Sequence, residues 1–338
     1  MLQDKNSRIY AFDNIKFILI FLVVFGHLLE IAQGWGEERE SVYRLIYSFH
    51  MPVFMFFTGW FAKFNREKIV FHFIYMYFLF QVLYQVFYHF VLRERDLSKL
   101  EYQFTTPYWI LWYLLAIILF YLMIPLLDVK ETWKQVLVVI VCFAVSLLAG
   151  IDSSVGYYFT LGRFFSFLPY FIAGYYIKNW QEKILGCKNW ILRVLLLVLA
   201  VFIVVWIMQM TDFPKEAFYG SYSYEKLKIE LSVKLIIEMI ASFWILFFLF
   251  GLAPVINFKI PLISTIGKNS LSIFLLHGFV VKFMEKEQMG VGMAPFVTLL
   301  WTIVIVVILG NRFTNRLFTW LGTGWWLEKI YRRLGEKF

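Results

Sequence analysis

The sequence predicts an all-α, polytopic membrane protein, a helical bundle of about ten transmembrane helices. Of its 338 residues, 61% are hydrophobic and only 16% are charged, which lies far outside the range of soluble globular domains. The mean hydropathy is +0.70. Apolar runs of about 20 residues, the length that crosses a bilayer as a helix, recur along the whole chain. These three observations exclude a soluble enzyme.

Ten helices follow from these apolar runs, in chain order. The first run follows a polar start and has no small-residue cleavage site after it, so we expect it to stay as a span. Residues 1–313 form one membrane domain. Residues 314–338 combine Trp, Leu and Ile with Lys and Arg, which predicts an amphipathic tail on the inner membrane surface. The predicted spans are 14–33, 44–63, 69–92, 108–127, 134–150, 163–178, 190–210, 230–252, 268–284 and 294–313.

The basic residues predict the orientation of the bundle. With the N-terminus inside, the inner segments hold nineteen Lys and Arg residues and the outer ones ten. This excess predicts that both termini are cytoplasmic, in a multi-pass protein of the cell (plasma or inner) membrane. The net charge of +9 is explained by the same short clusters facing anionic lipid, so we expect no nucleic-acid partner. The two cysteines lie in unlike surroundings and form no metal-binding pattern.

The first helix carries ionisable side chains where hydrocarbon makes each of them costly. Lys16 and His27 are eleven residues apart, so at about 100° per residue they lie within about 20° of one face. Asp13 falls on the same side, and Glu30 follows His27 closely enough for its carboxylate to reach the imidazole. An imidazole held by a carboxylate is a general base at neutral pH. A packed structural histidine and a Lys16–Asp13 ion pair are the simpler interpretations.

Four further polar residues are candidates for an acceptor pocket. His50 lies near the outer end of the second helix, where it is either a pocket residue or an interfacial one. Arg163 opens the sixth helix on the same side, where a guanidinium clamps a carboxylate or phosphate, or faces headgroups. Glu238 lies inside the eighth helix, one turn after Lys234, and the two side chains either serve the pocket or neutralise each other. His277 lies near the middle of the ninth helix.

Basic residues also gather at the inner ends of two predicted helices. Arg66 and Lys68 precede the third helix, and Lys268, Asn269 and Ser270 open the ninth. A helix N-terminus beside a lysine favours a phosphate that approaches from the cytoplasm. Helix capping by Asn269 or Ser270 explains the same residues equally well.

Five segments, in order, resemble the acyltransferase-3 family of membrane-bound O-acyltransferases, which includes sugar O-acetylases of bacterial envelopes. They extend over nearly the whole chain. In one departure, Arg66 is followed by Glu67 and Lys68, where many members have two arginines three positions apart. The similar segments are the basic residue and histidine at Lys16 and His27, SFHMPVFMFFTG, LWYLLAIILFYLMIPLL, RFFSFLPYFIAG and IGKNSLSIFLLH.

The resemblance implies an enzyme that moves a short acyl group, usually acetyl, from cytoplasmic acyl-CoA to a hydroxyl of an envelope carbohydrate. His27 would be the general base. The residues that would contact acyl-CoA, or form a structural polar track, are Asp13, Lys16, Arg66, Lys68 and, at the start of the ninth helix, Lys268, Asn269 and Ser270. Acetyl-CoA is then a co-substrate, with no tightly bound cofactor. Many members carry a further extracytoplasmic domain that completes the transfer, and we expect no such domain here. The membrane unit should then acylate its acceptor itself or pass the acyl group to a partner protein of envelope synthesis.

Two other functions are compatible with these residues. One is a membrane carrier or exporter of a polysaccharide or lipid-linked glycan intermediate, with the polar face of the first helix as its pathway. The other is a non-catalytic scaffold for envelope synthesis. A carrier would move glycan without consuming acyl-CoA, and a scaffold would tolerate the loss of Lys16 and His27.

Overall fold

The computed structural model describes residues 9–93, 104–153, 156–211 and 213–335. Every regular element in these ranges is a helix, as predicted. The helices used below are α1 (Tyr10–Ile31), α2 (Glu38–Tyr47), α3 (His50–Trp60), α4 (Lys68–Val91), α5 (Trp109–Leu127), α6 (Thr132–Ala149), α7 (Leu161–Ile177), α8 (Trp190–Gln209), α9 (Leu231–Leu252), α10 (Pro261–Lys268), α11 (Ser270–Lys286), α12 (Pro295–Gly310), α13 (Arg312–Gly322) and α14 (Trp325–Gly335).

Six helices of the described chain are long and apolar enough to cross a membrane: α1, α4, α5, α6, α8 and α9. The pair α12 and α13, bent by 60° at its junction, is a seventh candidate if it counts as one span. The predicted membrane helical bundle is therefore confirmed, whereas the predicted count of about ten spans is not. Three helices within the predicted spans are shorter than the candidate spans: α3 has 11 residues, and α7 and α11 have 17 each.

The helices differ in how deeply they are buried. In its most apolar stretch, 67% of α5 is buried, compared with 11% of α6 and 17% of α8. Apolar side chains that find no protein partner need lipid, so α6 and α8 form the periphery of the bundle. The centre is formed by α1, α3, α5, α7 and α11, whose side chains supply most of the buried core.

The predicted second span is broken into α2 and α3, which corrects the single helix expected at 44–63. The chain leaves helical geometry at Phe49, where φ is −139°. Pro52 has no N–H, and its ring clashes with the carbonyl four residues earlier in a continuous helix, so the helix restarts at His50. The Nδ1–H of His50 donates to the Ile46 carbonyl at 2.8 Å, which satisfies backbone that the break exposes.

The predicted ninth span is also interrupted at its inner end. Asn269 separates α10 from α11, and its side chain turns away from both helices to donate to the Gly310 carbonyl at 2.8 Å. It accepts no helix-capping hydrogen bond. Its amide instead satisfies the last carbonyl of α12, so the expected capping role is wrong.

Helices α3 and α7 approach each other through glycines. A Cβ at Gly59 would overlap the Phe171 carbonyl, and one at Gly174 would overlap the Phe56 carbonyl. Small residues let helix backbones pack closely where lipid provides no hydrophobic driving force between helices. This contact anchors α3, which carries His50, against α7, which carries Arg163.

We expect Gly59→Ala to lower the melting temperature of the protein in detergent. The added methyl group forces the α3 and α7 backbones apart, at a cost of about 2 kcal/mol. Gly156→Ala is the matched control, because its Cβ would meet only the Ser221 carbonyl at 3.9 Å, an ordinary contact. Equal melting temperatures for the two variants would contradict this packing argument.

The C-terminal helices α13 and α14 are both amphipathic, as predicted for residues 314–338, although the first of them begins at Arg312. Helix α14 is held to the start of α4 by polar contacts. The His72 Nε2 lies 2.9 Å from a Glu328 carboxylate oxygen, and Arg332 pairs with Glu328 at 2.6 Å and Glu67 at 2.5 Å. These contacts fix the tail against the bundle.

Candidate functional site

A cavity of about 400 Å³ lies at one end of the bundle and is called the outer cavity here. Helices α1, α3 and α7 bring His27, Glu30, His50 and Arg163 to its wall. His277, on α11, packs directly behind His27. Three of the residues predicted for an acceptor pocket, Glu30, His50 and Arg163, thus line one cavity together with the predicted base His27. A fourth, His277, stacks on His27.

His27 is held by Glu30 through the bond that their spacing predicts. The Nδ1 of His27 lies 3.1 Å from Glu30 Oε1. Tyr43 and Tyr47 both donate their hydroxyls to the same oxygen at 2.9 Å. Three donors on one carboxylate oxygen stabilise the anion. With the Nδ1–H engaged in this way, Nε2 is the ring nitrogen left to accept a proton.

The imidazole of His27 is also packed on both sides by rings. Trp109 meets it edge to face, with centroids 4.5 Å apart, and His277 stacks on it at 5.4 Å with an interplanar angle of 22°. The Nδ1–H of His277 donates to the Ile273 carbonyl at 3.0 Å, and its Nε2 is buried without a hydrogen-bond partner among the described residues. His277 thus positions His27 through ring contact.

Arg163 presents a guanidinium with unused hydrogen-bonding capacity. The group lies between Trp112 and Tyr157, 4.7 and 5.2 Å from the ring centroids. Its Nε–H donates to the Tyr219 carbonyl at 3.3 Å. No carboxylate pairs with Arg163 within the described part of the chain. A planar guanidinium in this state is suited to bind an anionic or oxygen-rich group in the cavity.

Sequence reasoning missed the tyrosines of this site. Tyr43 and Tyr47 are four residues apart and share a helix face, a signal hidden by the prediction of a span at 44–63. Tyr219 comes from a connection, and its hydroxyl donates to that of Tyr43 at 2.7 Å. Burial raises the pKa of Tyr219 above its ordinary value. A hydrogen bond with Tyr157, together with burial, raises the pKa of Tyr222 to about 12. The phenols of Tyr219 and Tyr222 therefore remain neutral at physiological pH.

A second, smaller cavity of about 160 Å³, the inner cavity, adjoins the outer one. Lys16 and Ser270 line it, and Phe274 lines both cavities and therefore lies between them. Lys16 Nζ pairs with Asp13 at 3.2 Å, as the simpler interpretation predicted. The shared helix face of Lys16 and His27 therefore faces two cavities in series.

The other basic residues predicted to contact acyl-CoA do not share one cavity. Lys68 Nζ lies 5.8 Å from the ring of Tyr121, which lines the inner cavity. Arg66 is exposed and lines neither cavity. Lys268 and Asn269 line a third cavity, although the predicted site grouped them with Ser270. The break at Asn269 turns the last residues of α10 to a different side of α1.

Glu238 lies outside the outer cavity, which corrects its predicted place in the acceptor pocket. Its carboxylate lies 3.7 Å from Lys234 Nζ and accepts a hydrogen bond from Ser146 at 2.6 Å. All of these groups are buried between α6, α7 and α9. A buried charge needs a partner, and Lys234 supplies it one turn away, which is the simpler of the two interpretations.

Ionisable side chains inside an apolar membrane bundle are costly, so the imidazole and carboxylate on the wall of the outer cavity mark a functional site. A family model described as an acyltransferase domain matches residues 9–326. The chain belongs to this family, acyltransferase-3.

Two curated proteins are similar over a shorter stretch. Nodulation protein NolL of Sinorhizobium fredii is 41% identical over 61 residues, which is 17% of this chain and 17% of that protein. Nodulation protein NolL of Mesorhizobium japonicum is 46% identical over 61 residues, 17% of this chain and 16% of that protein. The match thus spans about a sixth of the length of these relatives. No solved structure matches the chain.

Proposed function

We propose that this acyltransferase moves a short acyl group, in the first instance acetyl, from acyl-CoA to a hydroxyl of an envelope carbohydrate. The observation that carries the proposal is the bond from His27 Nδ1 to Glu30, which leaves Nε2 as a base beside the outer cavity. In this proposal the inner cavity faces the cytoplasm and both termini lie on that side of the cell membrane.

The donor enters through the inner cavity. In this proposal Lys16 and Ser270, which line the inner cavity, and Lys68, beside Tyr121 of the same wall, contact the CoA phosphates and the start of its pantetheine arm. Eleven residues of helix rise separate Lys16 from His27, which is about 16 Å, and an extended pantetheine arm covers that distance. The thioester then reaches the level of Phe274, where the two cavities adjoin.

The transfer step uses His27 as the base. Nε2 takes the proton of the acceptor hydroxyl, and the oxygen attacks the thioester carbonyl carbon. The new C–O ester bond replaces the C–S bond, and CoA leaves as a thiolate that takes the proton back from the imidazolium. Glu30, held by Tyr43 and Tyr47, stabilises the imidazolium in between. Transient acylation of His27 itself is the alternative route.

The outer cavity is suited to a carbohydrate. Trp109 and Trp112 offer ring faces, and His50 and Arg163 offer polar contacts within the same wall. Sugars pack their C–H faces on such rings while their hydroxyls and acidic groups take hydrogen bonds. Arg163 therefore positions the acceptor in this proposal.

We expect Arg163→Gln to raise the KM for the acceptor about thirtyfold, because a charge-assisted hydrogen bond contributes about 2 kcal/mol. The kcat should change much less, since Arg163 is not involved in proton transfer. Initial rates at varied acceptor concentration measure both constants. Arg39→Gln is the matched control, because Arg39 pairs with Glu40 outside the outer cavity. An unchanged acceptor KM would remove Arg163 from the acceptor site.

The function is tested with radiolabelled acetyl-CoA and purified protein in vesicles that also contain a crude envelope glycan extract. We expect label to appear in alkali-labile ester on the glycan. If glycan crosses the vesicle membrane while acetyl-CoA is not consumed, the protein is a carrier and the proposal is wrong. Separation of ester-linked label from free acetate distinguishes transfer from simple hydrolysis.

A further inference from the structure

The third cavity, named the basic cavity here, is strongly positive. It has a volume of about 470 Å³ and lies where α10 and α13 meet the start of α1. Lys259, Lys268, Arg312 and Arg316 line it, and no acidic residue does. Within the described ranges, none of these four side chains forms an ion pair.

Four like charges around one cavity repel each other. Arg312 and Arg316 are one turn apart on α13, a spacing at which like charges destabilise a helix. Tyr10 and Asn315 add neutral hydrogen-bonding groups to the same wall. A bound anion with several oxygens would relieve the repulsion and accept these donors, and a phosphate group has that chemistry.

The basic cavity is separated from the inner cavity by a close helix contact. A Cβ at Gly267 would overlap the backbone of Asp13, so α10 packs directly on α1 between the two cavities. Asn14 closes the same contact, because its amide donates to the Ile256 and Phe258 carbonyls and it accepts from Ser264 at 3.0 Å. A ligand in the basic cavity does not reach the line from Lys16 to His27.

The helix that carries the arginines has the features of a membrane-surface helix. The 60° bend after α12 turns α13 away from the direction of the span. The face next to these arginines exposes Phe313, Leu317 and Trp320 at 78%, 46% and 60% of their full exposure. A helix with these two faces lies at the boundary between headgroups and acyl chains. That places the basic cavity at headgroup level.

We propose that the basic cavity binds the phosphate headgroup of an anionic phospholipid, taken from the leaflet at this end of the bundle. Basic pockets between helices at a membrane surface recognise such headgroups, and each nearby Lys or Arg strengthens binding by roughly fivefold. The bound lipid would hold α13 on α10 and α1. This site is independent of acyl transfer.

The test counts lipids retained by the full-length protein. Protein from nanodiscs of equal phosphatidylglycerol and phosphatidylcholine is transferred to mild detergent and measured by native mass spectrometry. We expect the wild type to retain phosphatidylglycerol in preference to phosphatidylcholine. In the double variant Arg312→Gln/Arg316→Gln this preference should fall about twenty-five-fold, the product of two such contributions. Lys259→Gln/Lys268→Gln, from the opposite wall, should have a similar effect and provides a second variant if the first misfolds.

The matched control is Lys329→Gln/Arg333→Gln, which removes two positive charges from the neighbouring amphipathic helix α14 and leaves the basic cavity intact. Its lipid preference should stay within about twofold of wild type. An equal loss in the control would show general surface attraction and overturn the proposal. Displacement of phosphatidylglycerol by excess CoA would also overturn it, because the phosphate bound there would then belong to the donor.

Discussion

His27→Ala is expected to lower acyl transfer by about 10³-fold, the typical contribution of a positioned general base. The variant removes the base that the proposed mechanism uses, and the Glu30 oxygen that faced the imidazole already accepts from Tyr43 and Tyr47. The KM for acyl-CoA should change little, since the donor phosphates bind at the inner cavity in the proposed mechanism. Transfer of label from acetyl-CoA to glycan measures the effect.

His89→Ala is the matched control for this variant, because His89 lies near the end of α4 and lines neither cavity. It should retain the wild-type rate. Gel filtration and circular dichroism establish that both variants fold. Acyl transfer at a normal rate by folded His27→Ala protein would refute the proposed mechanism.

Glu30→Gln is expected to lower kcat by about 10²-fold, because the neutral amide no longer stabilises the imidazolium that forms in the transition state. The amide oxygen can still accept from His27, so the ring stays in place and the acceptor KM should be nearly unchanged. Tyr47→Phe removes one of the three donors to this carboxylate and should cost about tenfold.

Glu131→Gln provides the control for Glu30→Gln, since Glu131 pairs with Lys134 on the surface at the start of α6 and lines neither cavity. A fall in melting temperature without a fall in kcat would show that Glu30 serves only to satisfy buried polar groups. A loss of kcat at an unchanged melting temperature supports the catalytic role.

The fold class and the centre of the site follow from short-range features of the sequence. The membrane bundle is predicted by the lengths of the apolar runs, because hydrocarbon admits only segments that satisfy their own backbone hydrogen bonds. The contact of His27 with Glu30 and that of Lys16 with Asp13 follow from spacing along one helix, since residues three apart in a helix are neighbours.

Contacts between distant segments could not be predicted in this way. Arg163 and Tyr219 are 56 positions apart and meet only because a connection folds over the outer cavity. The division of the second span at Phe49 depends on the space available around Pro52. Glu238 was placed in the wrong site, because depth along a helix does not show which face it turns to the bundle.

By itself, the sequence determined that this is a membrane helical bundle with a carboxylate-held imidazole on the polar face of its first helix. Those properties depend on hydropathy and on the regular geometry of one helix. Only the tertiary structure decided that this face borders two cavities in series, that three tyrosines meet beside Glu30, and that Lys268 belongs to the basic cavity. Such juxtapositions arise from packing and from helix breaks, which join residues that the chain keeps far apart.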